Sequence, residues 1–312
     1  MFKGVAFALG ACCIWGLIFV IPQFIEGFSF IEIVLGRYFF YGFISAFFLL
    51  KAKLKRSFSF PLSIWARAFL FSFLTTIGYY TCVVLSLHYT TPAICALVLG
   101  ISPISIAFYG NWKQRECSFK TLIFPSCLIL LGLFVINAPH FKESVSPSIY
   151  IEGLALGFMA LIAWTYYAVA NAHFLKLHKE MASSDWATIL GFTTLLLVAF
   201  VGIFCAIFFK EQLPIQKYLT ITPALTTFLI ATATLGLLCS WVGTFFWNKA
   251  SLYLPISLAG QLVIFETIFG LIFICLLDKR IPPKMECFGI ALLLGAIVYG
   301  IHKFHQSSQK PT

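Results

Sequence analysis

The chain has 312 residues, of which 61% are hydrophobic and 18% aromatic, while only 10% are charged. A soluble domain carries about 25% charged residues, so a water-soluble fold of this length could not clothe its surface. The net charge of +10 has no separate basic domain to sit on, which excludes a nucleic-acid partner and leaves membrane lipid as the surroundings.

A helix crosses a bilayer with about 20 mostly apolar residues. Ten such runs follow one another, at roughly 2–21, 30–50, 65–87, 91–111, 118–137, 150–171, 186–209, 224–247, 254–276 and 284–303. Barrel strands would be about ten residues long with alternating polarity, and nothing here alternates. The expected fold class is an all-α membrane protein with ten transmembrane helices. The connections at 51–61, 138–148, 176–180, 210–216 and 278–283 are too short to hold a soluble domain.

In the first span, the LGAC ending at Cys12 loosely matches a lipoprotein cleavage box, but the apolar run continues to Pro22 as a full span. The second holds Arg37, about seven residues inside and roughly 10 Å deep. It can snorkel to the headgroups, pair within the bundle, or meet a substrate carboxylate. Glu32 lies five residues earlier on another face, so no i,i+4 pair joins the two. The third span carries Tyr79 and Tyr80 in its middle, and a buried hydroxyl seeks a partner. Trp15, Trp164, Trp241 and Trp247 are aromatic candidates for a cavity wall. For Trp15 and Trp247 an interfacial belt is the competing reading. Asn248 has an interhelical hydrogen bond as its alternative role.

The ninth span contains Gln261 and, about twelve residues in, Glu266. A carboxylate there costs roughly 3 kcal/mol on insertion scales and is too deep to reach either interface. It either fixes packing against a neighbouring helix or faces a central cavity. Gln261 points about 140° away from it around the helix, which suits a bond to another helix better than a shared polar stripe. The ten cysteines include no CxxC and no His at metal spacing, so neither a disulfide frame nor a metal site is expected. Walker A, HExxH and nucleophile-elbow motifs are lacking, which argues against an enzyme and implies no cofactor.

Lys and Arg set orientation. With the N-terminus cytoplasmic, fourteen of the 21 fall on the inner side and six on the outer, with Arg37 inside the membrane. Both termini, and the connections at 51–61 and 176–180, are then cytoplasmic.

The chain also repeats weakly. Sliding by 164 lays Tyr89 on Tyr253 and Ser102 on Glu266, and Trp15 and Trp164 share a pattern in spans one and six. Two five-helix repeats, 1–137 and 150–305, are expected. Five is odd, so the second is inverted, with a midplane site between them lined by spans one, three, four, six, eight and nine.

With Trp15–Gly16, Glu32 and Gly36–Arg37, the run from Tyr89 to Pro103, Trp247–Ala250 and Glu266 in that order, the sequence resembles the drug/metabolite transporter superfamily of the EamA-domain type. Thr267 stands where members usually carry Pro after the Glu. The resemblance implies an inner-membrane exporter of amino acids or small metabolites that does not hydrolyse ATP. With one intramembrane cation, a neutral or zwitterionic small molecule fits better than a phosphorylated one. A coupled proton is a further expected partner, because a carboxyl can bind a substrate amine when ionised and release it when protonated. The competing class is a non-transporting membrane protein, an intramembrane enzyme or scaffold.

Overall fold

A computed structural model describes residues 1–55, 60–140, 147–208 and 215–308. Parts of the connections at 51–61, 138–148 and 210–216 thus lie outside the described residues. Ten helical spans are long and apolar enough to cross a membrane: span 1 Phe2–Phe24, span 2 Phe30–Lys51, span 3 Leu62–Tyr89, span 4 Ile94–Gln114, span 5 Phe119–Asn137, span 6 Tyr150–Leu177, span 7 Ser183–Phe208, span 8 Pro223–Tyr253, span 9 Ile256–Leu277 and span 10 Lys284–Phe304. Among the described residues there is no strand.

Short connections force successive spans to alternate in direction. The contacts between connections agree with this. Lys217, between spans 7 and 8, donates to the Gly27 carbonyl between spans 1 and 2 (2.8 Å). Lys176, at the end of span 6, pairs with Glu116 between spans 4 and 5 (3.6 Å). The bundle therefore has one face where span 1 begins, called here the N-face, and an opposite far face.

Spans 3 and 8, and spans 4 and 9, are broken in matching places. Span 3 is α-helical over Leu62–Ser72, π-helical over Phe73–Gly78 and α-helical again over Tyr79–Tyr89. Span 8 repeats this with Pro223–Thr234, Leu235–Val242 and Gly243–Tyr253. Adding 164 to Tyr79 and Tyr89 gives Gly243 and Tyr253, so the last segments coincide end for end. Thr75 and Thr234 donate to carbonyls four residues back, 2.9 and 2.8 Å away, a bond that loosens a helical turn.

Spans 4 and 9 break between Gly100 and Ser102 and between Leu262 and Ile264. In span 4 the cause is Pro103, which has no N–H for the preceding turn. Span 9 has Thr267 rather than a proline, yet it breaks. There a tight turn runs from the Val263 N–H to the Gly260 carbonyl (3.1 Å) and from the Glu266 N–H to the Val263 carbonyl (2.9 Å). The Cys12 thiol of span 1 meets the Leu262 carbonyl thus freed (3.4 Å). Cys12 is fully buried in the bundle.

The most extensive packing joins spans 1–8, 2–7, 3–6 and 5–10, followed by 1–9, 2–8, 4–9, 4–6 and 3–7. Renumbering each span by its counterpart in the other half maps this set onto itself. Glycines allow the close approach that lipid-embedded helices need, because packing rather than the hydrophobic effect joins them. A Cβ on Gly132 of span 5 would come within 2.8 Å of Leu293 of span 10.

At the far face Ser29 and Glu32 form a capping box at the start of span 2. The Ser29 N–H donates to Glu32 Oε2 (2.6 Å) and the Glu32 N–H to Ser29 Oγ (3.2 Å). Glu32 is 1% exposed. Its remaining capacity is met by Lys217 (3.4 Å) and the Tyr218 hydroxyl (2.9 Å). Burial and then this bond push the Tyr218 hydroxyl above its ordinary range, so it stays protonated and donating.

Candidate substrate cavity

Between the spans lies a cavity of about 670 Å³, within the usual size of small-molecule sites. Spans 1 to 9 all contribute to its wall. The wall is wider than expected from sequence, since spans 2, 5 and 7 join the six named there.

Its depth is uneven. Span 3 contributes from Ser72 onward, span 5 at Leu133, Ile136 and Asn137, and span 9 from Val263 to Ile274. These are the portions towards the far face. On the N-face side the same spans close up. Ala8, Ala11, Ile106, Ala107, Ala250, Leu258 and Leu262 are all 0% exposed. A Cβ on Gly260 would lie 2.7 Å from the Ile106 side chain, and one on Gly110 2.6 Å from Ile256. The cavity thus reaches the far face and ends in a plug of small and aliphatic residues.

Two charged side chains line the cavity, Arg37 and Glu266. Glu266 sits in the first turn of the segment Ile264–Leu277, where free N–H groups and the helix dipole favour an anion. Among the described residues nothing ion-pairs or hydrogen-bonds with its carboxylate. That leaves the packing role without a partner.

Arg37 does not snorkel. Its Nε donates to Ser240 Oγ on the π-helical segment of span 8 (2.9 Å), and its guanidinium lies over the Tyr38 ring (5.1 Å). Ser240 occupies one of the guanidinium's donors and leaves the others for the cavity.

An aromatic chain continues the wall. Trp15 stands 5.7 Å from Trp247 and 6.1 Å from Trp164, and Trp164 stands 5.7 Å from Tyr79. The Trp15 indole N–H donates to the Cys239 carbonyl (2.9 Å), so one π-helical segment orients both Trp15 and Arg37. Trp15 and Trp247 are 6% and 2% exposed, which rules out a belt role for either. Trp241 is off the wall and bonds instead to Thr188 (3.2 Å). Tyr80 lines the cavity with its ring against Phe30 (5.2 Å), and its hydroxyl is buried without a partner.

Two sequence candidates lie elsewhere. Asn248 accepts from Asn171 Nδ2 (3.0 Å), whose Oδ1 accepts from Trp186 Nε1 (2.7 Å). This network is buried in the N-face half. Gln261 lies against Gly300 of span 10, and neither amide atom has a hydrogen-bond partner. Its expected interhelical bond is not made. Conversely, Tyr38, Thr75, Thr76, Asn137 and Ser240 line the cavity without having been singled out. The Thr75–Thr76 pair in mid-span was the sequence signal that could have revealed them.

Comparison with known proteins gives the same frame. Residues 2–138 match the EamA-like transporter family. The chain is 28% identical over 310 residues to "Inner membrane protein YtfF" of Escherichia coli (strain K12), covering 96% of this chain and 95% of that one. A solved crystal structure superposes over 97% of this chain and 98% of its own with a TM-score of 0.77 at 14% identity, which establishes the fold. The chain is a multi-pass membrane protein, and the family match over residues 2–138 supports a transporter role.

Proposed function

From a chain whose residues 2–138 are an EamA-family domain, we propose a secondary transporter that exports amino acids or similar small zwitterionic metabolites across the cytoplasmic membrane by alternating access. The two five-span halves, 1–137 and 150–305, act as inverted repeats with both termini cytoplasmic, as the Lys and Arg distribution favours. The observation that carries this reading is the charge of the cavity wall, one Arg37 and one Glu266 among otherwise uncharged residues. A solute with one ammonium and one carboxylate matches that pair and leaves no net buried charge. A phosphorylated solute would lack the further cations it needs.

Glu266 has no fixed partner, so its carboxylate is free for either an ammonium or a proton. Those occupants exclude each other, which couples release of one to arrival of the other. Tyr79, Tyr80, Trp15 and Trp164 shape the surrounding wall.

The test is flux in proteoliposomes loaded with a pooled set of amino acids and small amines, with an imposed proton gradient of either sign. Wild-type protein should move zwitterions. Glu266→Gln, reconstituted to the same level, should lose about tenfold or more of the flux, the scale of one charge-assisted contact, together with its pH dependence. Unchanged flux and pH dependence in that variant, or no zwitterion flux from folded wild type, sinks the proposal.

A further inference from the structure

The turn between spans 4 and 5 holds a carboxylate that reaches into the other half of the chain. Glu116 Oε1 accepts from the Ile256 N–H (2.7 Å), and Oε2 accepts from the Ser257 N–H (2.7 Å) and the Ser257 hydroxyl (2.6 Å). Lys176 at the end of span 6 stands 3.6 Å from Oε1. Span 9 begins behind Pro255, which has no side-chain hydrogen bond to offer its first N–H groups, so Glu116 supplies the cap from a distance.

The turn is fixed for this. Asn111, 1% exposed, donates to the Cys117 carbonyl (2.9 Å) and accepts from the Cys117 N–H (2.8 Å). Between them Arg115 takes a left-handed conformation (φ 50°), uncommon for a residue with a side chain. Burial, and then Glu116, push the neighbouring Cys117 thiol up to about 11, so it remains a neutral thiol beside that carboxylate.

The placement matters more than the cap. Spans 4 and 9 touch through Ser102–Gln114 and Ile256–Leu262. Their far-face segments, up to Gly100 and from Glu266 onward, both line the cavity. Opening the N-face means parting Ile106 from Gly260 and Ile256 from Gly110, and the Glu116 bonds span that parting line. At the far face the equivalent start of span 4 is capped only locally, by the Thr91 hydroxyl accepting from the Ile94 N–H (3.4 Å). Adding 162, which lays Ile101 on Val263, puts Glu116 on Asp278, and Asp278 pairs with its own neighbour Arg280 (3.4 Å). Between spans 4 and 9 a carboxylate thus joins the halves at the N-face alone; the far-face carboxylate that joins the halves, Glu32, ties span 2 to the start of span 8 instead.

We propose that Glu116, with Lys176, is the latch of the N-face gate: its bonds to the start of span 9 hold the plug shut in this far-face-open state and break when the gate opens. The proposal rests on the transporter reading, in which the two faces open in turn.

Hydrogen–deuterium exchange on the full chain in lipid nanodiscs reads this without any substrate. Glu116→Ala should speed exchange over 104–111 and 256–263 by about tenfold, the scale of losing a charge-assisted hydrogen bond. It should also slow exchange over 94–100 and 264–274, because the far-face ends close as the N-face opens. Faster exchange at 256–258 alone would make Glu116 a local cap and overturn the latch, and so would no change. Glu116→Gln, which keeps one acceptor oxygen, should give the same reciprocal pattern at smaller amplitude and covers failure of the alanine variant to assemble. An absent reciprocal pattern with Glu266-dependent flux intact removes the latch alone. Failure of flux in wild type removes the transporter reading, whatever the exchange shows.

Discussion

Where span 9 begins, Gly260 lies so close to span 4 that a single methyl group would meet Ile106 and the Ala107 backbone at 2.7 and 2.9 Å. About three turns further along, Gly270 and Leu271 of the same span face a cavity that Ala96 and Leu99 of span 4 also line. The same pair of helices thus gives a solid contact at one end and a ligand-sized space at the other. What separates them is the break in each helix, at Ile101 and at Val263, which lets the two segments of one span take different neighbours.

The difference can be broken from the packed side. Asn171→Ala should have the largest effect on stability. It strips partners from both Trp186 and Asn248 in a fully buried site, and each orphaned group costs about 1–3 kcal/mol. The melting temperature in detergent should fall by more than that of any cavity-wall variant. Gly260→Ala should come next, at about 1–3 kcal/mol for overpacking against backbone. Gly78→Ala, whose Cβ would meet nothing nearer than 3.5 Å, should be neutral or stabilise by about 0.5–1 kcal/mol as a helical glycine replaced by alanine. Equal losses at the two glycines would mean that the plug is packed no more tightly than the break in span 3.

Tyr80→Phe sharpens the comparison from the open side. It removes a hydroxyl with no protein partner, so stability should stay within about 0.5 kcal/mol. Transport should still fall several-fold if that hydroxyl serves the solute. A melting temperature that drops while flux is unchanged would turn Tyr80 into a structural residue.

The ten spans were legible because a run of apolar residues has a length that only a bilayer explains. The place of Glu266 on the cavity wall was legible for the same reason inverted: a carboxylate so deep in hydrocarbon is costly and calls for a cavity or a partner. Sequence position gives depth in the membrane but not the direction a side chain faces. That is why Trp15 and Trp247 carried an interface-anchor reading beside the cavity-wall one, and only their burial in the bundle decides between the two. A helix apolar all round carries no stripe to orient it. Gln261 and Asn248 look alike on paper, as amides in lipid. Their different fates, one in a complete network and one unpaired beside Gly300, depend on neighbours in other spans, tens of residues away in the chain. The break in span 9 was hidden too, because its partner is a thiol from span 1 rather than a proline in the span itself.

The pairing of spans across the halves bears on how such a chain is made. Span 1 has its main partner in span 8, span 2 in span 7 and span 5 in span 10. When the first five spans have left the ribosome, most of the surfaces they will bury have nothing to meet. They must reside in the membrane as a loose set of inserted helices until synthesis of the second half supplies their mates. Residues 2–138, which match a family model on their own, are then not a unit of assembly. Expressed alone they would have to find a second copy of themselves to build a bundle.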